Sequence, residues 1–197
     1  MGIAEFESVI GYEFKDKELL KIALTHSSYA NENKMPVNNE RLEFLGDSVL
    51  GFVTAEYLFS EFKGRPEGEL TKLRAAVVCE KSLFRFAEKI SLGQYIFMGK
   101  GEEHSGGRNR PSIVSDAFEA VIAAMYIDGG FDAVRPYILG FIKDAVKREA
   151  NFKTINHNCR KKFRKIRVLL LFLRKLAKAV LTTKRFSALL LSLTARL

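Results

Sequence analysis

Ten residues, Asn39-Glu40-Arg41-Leu42-Glu43-Phe44-Leu45-Gly46-Asp47-Ser48, constrain this chain more than any others. On a helix turning about 100° per residue, Glu40, Glu43 and Asp47 share one narrow face. Leu42, Leu45, Val49 and Val53 fall on a different face at core spacing. Solvated helix faces usually mix both signs of charge. This one carries only carboxylates, an all-oxygen donor set that suits a divalent cation. Acids at this spacing also occur on ordinary exposed helices, so a plain surface reading stands beside the metal reading.

A second pair sharpens the choice. Ile113 to Ile127 is apolar or small except for Asp116 and Glu119 and a few neutral polar residues. The two acids lie one turn apart on the same face. A helix apolar nearly all round belongs in the interior. Ionised carboxylates left there without partners cost several kcal/mol each, roughly. Protonation, salt bridges or a metal ion would each remove that cost. If this helix packs against the one starting at Glu40, the two acid faces converge. A Mg²⁺ or Mn²⁺ ion would then resolve the repulsion among four acids and lower their pKa values.

The 197 residues carry a formal charge of +9, which suggests a nucleic-acid partner. The distribution alters that inference. Residues 1–149 hold 19 Lys and Arg against 23 Asp and Glu, a balance of −4. Residues 150–197 hold the other 13 basic residues and no acid. Cys79 and Cys159 offer neither metal-ligand spacing nor a disulfide framework. Glu5 and Glu7 interrupt the N-terminus, so no signal peptide is expected, and a reducing cytoplasmic setting follows.

The fold class expected is all-α, because strand alternation with turn pairs is scarce. Helices are expected over Lys17–Leu24, Glu40–Phe62, Glu69–Val78, Lys81–Ile90, Pro111–Ile127 and Phe131–Arg148. Asn38 or Asn39 is the N-cap candidate for the second. Gly64, Pro66 and Gly68 end that helix, and Gly129-Gly130 stops the fifth. Thr25 to Asn39 reads as a polar connection, and Gly99 to Pro111 as a Gly-rich loop. That loop lacks the glycine spacing and lysine of a phosphate-binding P-loop. Arg108 and Arg110 within it are candidates for RNA phosphates. The three histidines, His26, His104 and His157, show no metal-ligand spacing, and structural or surface roles are favoured. Phe44 lies about 60° from the acid face, and the pattern alone favours a core aromatic.

Five segments together resemble the ribonuclease III family over roughly residues 6–152. They are Ile10-Gly11-Tyr12-Glu13-Phe14, Ala23 through Glu32, Glu40 through Ser48, Glu67 through Arg74, and Ser112 through Ala120. The third is that family's signature. The resemblance implies an endonuclease-domain-like helical fold with Glu43, Asp47, Asp116 and Glu119 as metal ligands. Asp47 and Glu119 would be catalytic. Glu40 and Glu67 would be auxiliary acids of the same cleft, and His26 would help shape the RNA-facing surface. It further implies a homodimer with Phe44 plugged into the partner subunit. The substrate would be double-stranded RNA of the rRNA and mRNA processing type, cut to 5′-phosphate and 3′-hydroxyl ends with Mg²⁺, or Mn²⁺ as substitute. Such chemistry needs an activated water and charge neutralisation at the leaving oxygen; divalent metal supplies both without a His or Ser nucleophile.

The resemblance stops near residue 150, where a domain boundary is placed. Residues 151–197 form a basic, Leu/Lys/Arg-rich extension without the α-β-β-β-α pattern of a double-stranded-RNA-binding domain. The extension reads as an out-of-frame remnant of such a domain. Rival readings are a basic RNA-binding tail, disordered or helical over Arg160–Leu181, and an interfacial membrane helix. Its apolar run is too short for a span of roughly 20 residues, and a membrane partner is not expected. A non-catalytic RNA-binding scaffold of the same fold is the functional alternative.

Overall fold

Local capping chemistry sets the first helices of the computed structural model, which describes residues 2–150. Helix α1, Ile3–Ile10, ends on Gly11, whose φ of 68° supplies the left-handed C-cap that disfavours other residues. Helix α2, Lys17–Ala23, starts at Asp16, whose carboxylate accepts from the backbone N–H groups of Glu18 and Leu19. Helix α3, Ser27–Glu32, occupies part of the stretch expected to be a connection. Its N-cap is His26 rather than Ser, Thr, Asn or Asp, so the usual start signal is missing from the sequence.

Helix α4 runs Glu40–Glu61, within one residue of expectation. Both asparagines before it contribute. Asn38 Oδ1 accepts from the Glu40 N–H at 3.1 Å, while the buried Asn39 gives its N–H to the Thr25 carbonyl at 2.9 Å. Pro66 sits at the N-cap of α5, Glu67–Val77, which therefore begins two residues earlier than expected. Helix α6 spans Glu80–Lys89. The Gly-rich segment is more ordered than a loop: it contains α7, Lys100–His104, and a 3₁₀ turn at Gly107–Asn109.

Residues 111–150 are helical, and Gly130 divides them with a φ of 71° that a right-handed helix cannot contain. We label residues 111–129 α8 and residues 131–150 α9. As its composition requires, α8 lies in the interior: Ala117, Phe118 and every residue from Ala120 to Met125 are buried. Phe118 stacks into an aromatic cluster with Phe86, Tyr137 and Phe141 from α6 and α9. Phe6, Leu20, Leu50, Leu58 and Leu73 complete the core from other helices, and Phe14 joins it from the connection between α1 and α2.

Extended pairing among the described residues is confined to one parallel bridge between Thr25 and Phe97. The readings placed on residues 151–197, with Cys159 and His157, lie outside the described residues.

Candidate metal centre

Two helices build the centre, and a glycine lets them meet. Gly46 of α4 faces the backbone of Glu119 in α8 so closely that a Cβ there would collide with the Glu119 carbonyl. Glu43 lies about one turn before Gly46 on α4, and Asp47 directly follows it. The convergence expected from the sequence therefore happens at Gly46. One carboxylate oxygen from each of Glu43, Asp116 and Glu119 lies within 4.8 Å of the other two.

That spacing fits a hard cation. Two oxygens ligating Mg²⁺ or Ca²⁺ at about 2.0–2.6 Å are at most about 4–5 Å apart. All three carboxylates are half-buried. Burial pushes the Glu119 carboxyl up to about 8, and the charges of Asp47, Asp116 and Glu43 add to the rise. Burial likewise raises Glu43, with Asp116, Glu40 and Asp47 contributing. Asp116 is raised by burial and by Glu80, while His26 and Ser115 oppose the shift. No salt bridge among the described residues involves Glu43, Asp47, Asp116 or Glu119. Of the three ways to relieve buried carboxylates, ion pairing is thus the one the geometry does not use.

The other sequence-derived residues occupy distinct places. Asp47 is exposed at the rim and close enough to act on both Glu43 and Glu119 electrostatically. Glu40 acts on Glu43 from the first turn of α4. Glu67 is exposed at the start of α5, outside the group of three, and accepts a 2.6 Å hydrogen bond from Thr71 Oγ1. Glu80, at the start of α6, was not visible as a site residue because only tertiary packing brings α6 toward Asp116. Phe44 is 79% exposed, contrary to the core position its spacing favours.

Arg108 is held by its own fold. Nε and Nη2 bind Glu103 at 2.6 and 3.1 Å, and Nη1 donates to the carbonyls of Gly93, Gln94 and Ile96. Arg110 pairs with Glu102 at 2.6 Å and donates to Ser105.

Fold and site together define an all-helical domain whose two adjoining helices gather carboxylates into an acidic cleft able to hold a metal. The ribonuclease-III-like family profile matches residues 16–146, and the chain belongs to that family. Ribonuclease 3 of Clostridium perfringens is 52% identical over 155 residues, 79% of this chain and 65% of that protein. Ribonuclease 3 of Caldanaerobacter subterraneus is 59% identical over 141 residues, 71% of this chain and 62% of that protein. The chain thus spans just under two thirds of the length of these relatives. The crystal structure of the nuclease domain of ribonuclease III from Campylobacter jejuni has a TM-score of 0.67 and 48% identity. That match covers 73% of this chain and 95% of the domain.

Proposed function

We propose that this protein is an endoribonuclease that hydrolyses phosphodiester bonds of double-stranded RNA with a divalent metal, leaving 5′-phosphate and 3′-hydroxyl ends. The observation that carries the reading is the unpaired carboxylate cluster across the Gly46–Glu119 contact. Burial and neighbouring carboxylates raise the Glu119 carboxyl to about 8, so its ionised form is costly in the cleft alone and relieved by a cation. Glu43, Asp116 and Glu119 would hold the ion, with Asp47 at the exposed rim where substrate approaches. When bound, Mg²⁺, or Mn²⁺ in its place, supplies a nucleophilic water near neutral pH and positive charge for the leaving oxygen.

The chain's own residues do the rest. Glu119 exchanges its proton for the cation, which makes binding release protons and strengthen with pH. Glu40 and Glu80 add negative charge at the two ends of the cluster, drawing cations toward it. Glu67 is assigned an auxiliary place in the same cleft by the family resemblance. Arg108 and Arg110 would reach RNA phosphates only by exchanging Glu103 and Glu102 for them, so their present bonds favour a structural role.

The subunits pair through α4, where Phe44, Phe52 and Phe59 are 79%, 58% and 75% exposed. Three phenylalanines on one helix leave apolar surface that a second copy would cover. A relative's nuclease domain carries a region described as involved in dimer formation. The protein works in the cytoplasm; among the described residues no helix is long and apolar enough to cross a membrane. We place the domain boundary near residue 150, with the basic extension adding phosphate contacts where it is present.

Incubation of a long RNA duplex with the full chain tests the reading. Cleavage with Mg²⁺ to 5′-phosphate ends, abolished by EDTA and absent on single strands, is the expected result. Duplex binding without cleavage would replace it with the non-catalytic scaffold.

A further inference from the structure

Helix α4 shares its uncovered apolar surface with a second element. Apart from Val9 and Val37, the large apolar side chains exposed among the described residues lie on α4 or at the corner where α8 turns into α9. At that corner Ile127 is 53% exposed and Phe131 39%. The Phe131 ring joins the two sets. Its centroid lies 5.4 Å from that of Phe52 on α4 and 4.8 Å from that of Tyr126 on α8. Phe52 and Phe59 are seven residues apart and within about 20° of each other around the helix. The ridge of α4 therefore continues across Phe131 onto the end of α8.

One turn further along both helices, Arg135 Nε donates to Glu56 Oε2 at 2.8 Å, and both side chains are half-exposed. These two contacts set α9 alongside α4 in the same direction and give the apolar surface a charged rim. The corner is pinned by its own chain. The Asp128 carboxylate accepts from the Tyr12 hydroxyl at 2.7 Å and from the N–H groups of Asp16 and Lys15 at 2.9 and 3.1 Å. A Cβ at Gly129 would strike the Tyr12 hydroxyl, so only glycine allows this approach. A surface formed before its partner arrives lowers the cost of docking. Its chemistry suits an apolar partner: a phosphate backbone needs free cations, and Arg135, one turn from Phe131, is already paired.

We propose that a second copy of this chain docks on the α8–α9 corner as well as on the α4 ridge, burying Phe131 and Ile127 of each copy in the pair. Continuity through the Phe52–Phe131 contact with the α4 face assigned to pairing selects that occupant. In a two-fold pair each copy presents the same surface, so both corners are covered at once. The proposal rests on the pairing reading above and adds this second element to it. A partner seated there bears on both helices that carry the carboxylates.

Carbene footprinting of the full chain, concentrated against dilute, reads the burial of individual side chains without altering the protein. Labelling of Phe52, Phe131 and Ile127 should fall together on association. A fall at Phe52 with unchanged labelling at Phe131 and Ile127 would overturn this proposal alone. A chain that stays monomeric at every concentration would overturn the pairing reading with it. Sedimentation equilibrium of variants gives an independent test. Ile127→Glu and Phe131→Glu each place a carboxylate where pairing excludes water, and self-association should weaken about tenfold or more. Ile127→Leu keeps the apolar contact and should stay within about threefold of the parent. Parent-like self-association of Ile127→Glu, with its helical content retained, would overturn the proposal.

Discussion

Glu119 decides how the carboxylate centre behaves when no cation is present. Its ordinary pKa is 4.5 and the folded value is about 8. Between those values the folded chain holds a proton that the unfolded chain has released. Stability from this group is therefore present at low pH and lost as pH rises through that window. With EDTA present, the melting temperature should fall from pH 5 to pH 8, and Mg²⁺ should restore it at pH 8. Glu119→Gln should flatten that pH dependence while reducing cleavage at least about 100-fold, the loss that removal of even an outer partner can cause. A melting profile equally steep in Glu119→Gln would assign the effect elsewhere. Glu7 and Asp128 work in the opposite sense. Glu7 is buried yet held low by Lys17 and the Phe14 N–H, and Asp128 is held low by the N–H groups of Asp16 and Lys15 and by the Tyr12 hydroxyl. Their contributions are present above the ordinary carboxylate range and vanish as pH falls below it.

Helix packing explains both what the sequence disclosed and what it withheld. The boundaries of α4 follow from its asparagines and the glycine-proline segment after it, and the interior place of α8 follows from its composition. The acid spacing on each helix was likewise legible, because period alone puts Glu43 with Asp47 and Asp116 with Glu119. What period cannot reveal is the contact at Gly46 that joins the two pairs, or the approach of Glu80 and His26 from α6 and α3. Short helices α1, α3 and α7 stayed hidden too; they contain eight, six and five residues, too few for a clear repeat. Gly46→Ala should expose the importance of that contact. The added methyl group must push α4 off α8, at a cost of about 1–3 kcal/mol, and should weaken metal binding as well. Chemical denaturation would measure it; an unchanged midpoint would mean that the helices do not meet there. Tyr137→Phe tests the aromatic cluster in the other direction. The Tyr137 hydroxyl is buried with no hydrogen-bond partner among the described residues, so its removal should stabilise the domain by about 1 kcal/mol.

At the scale of the whole molecule, charge is the constraint. A domain of net −4 must approach a polyanion through local cations and bound metal, so duplex affinity should be weak and fall steeply with salt. Tight binding that ignores salt would contradict this. Pairing of two subunits would set two centres along one duplex, and under the proposed pairing the 79% exposed Phe44 would be a central contact. Phe44→Ala should weaken self-association by about 2 kcal/mol or more in sedimentation equilibrium, as expected for a central aromatic anchor. The family match ends at residue 146, three residues before Glu149, the last acidic residue of the chain.

Single-turnover cleavage of a long RNA duplex with Mg²⁺ at low salt, comparing the full chain with Glu119→Gln, tests the central claim most directly. Cleavage by the parent and essentially none by the variant, with both binding duplex equally, is the predicted result. Equal cleavage by both, or none by either when Mg²⁺ is bound, would contradict it.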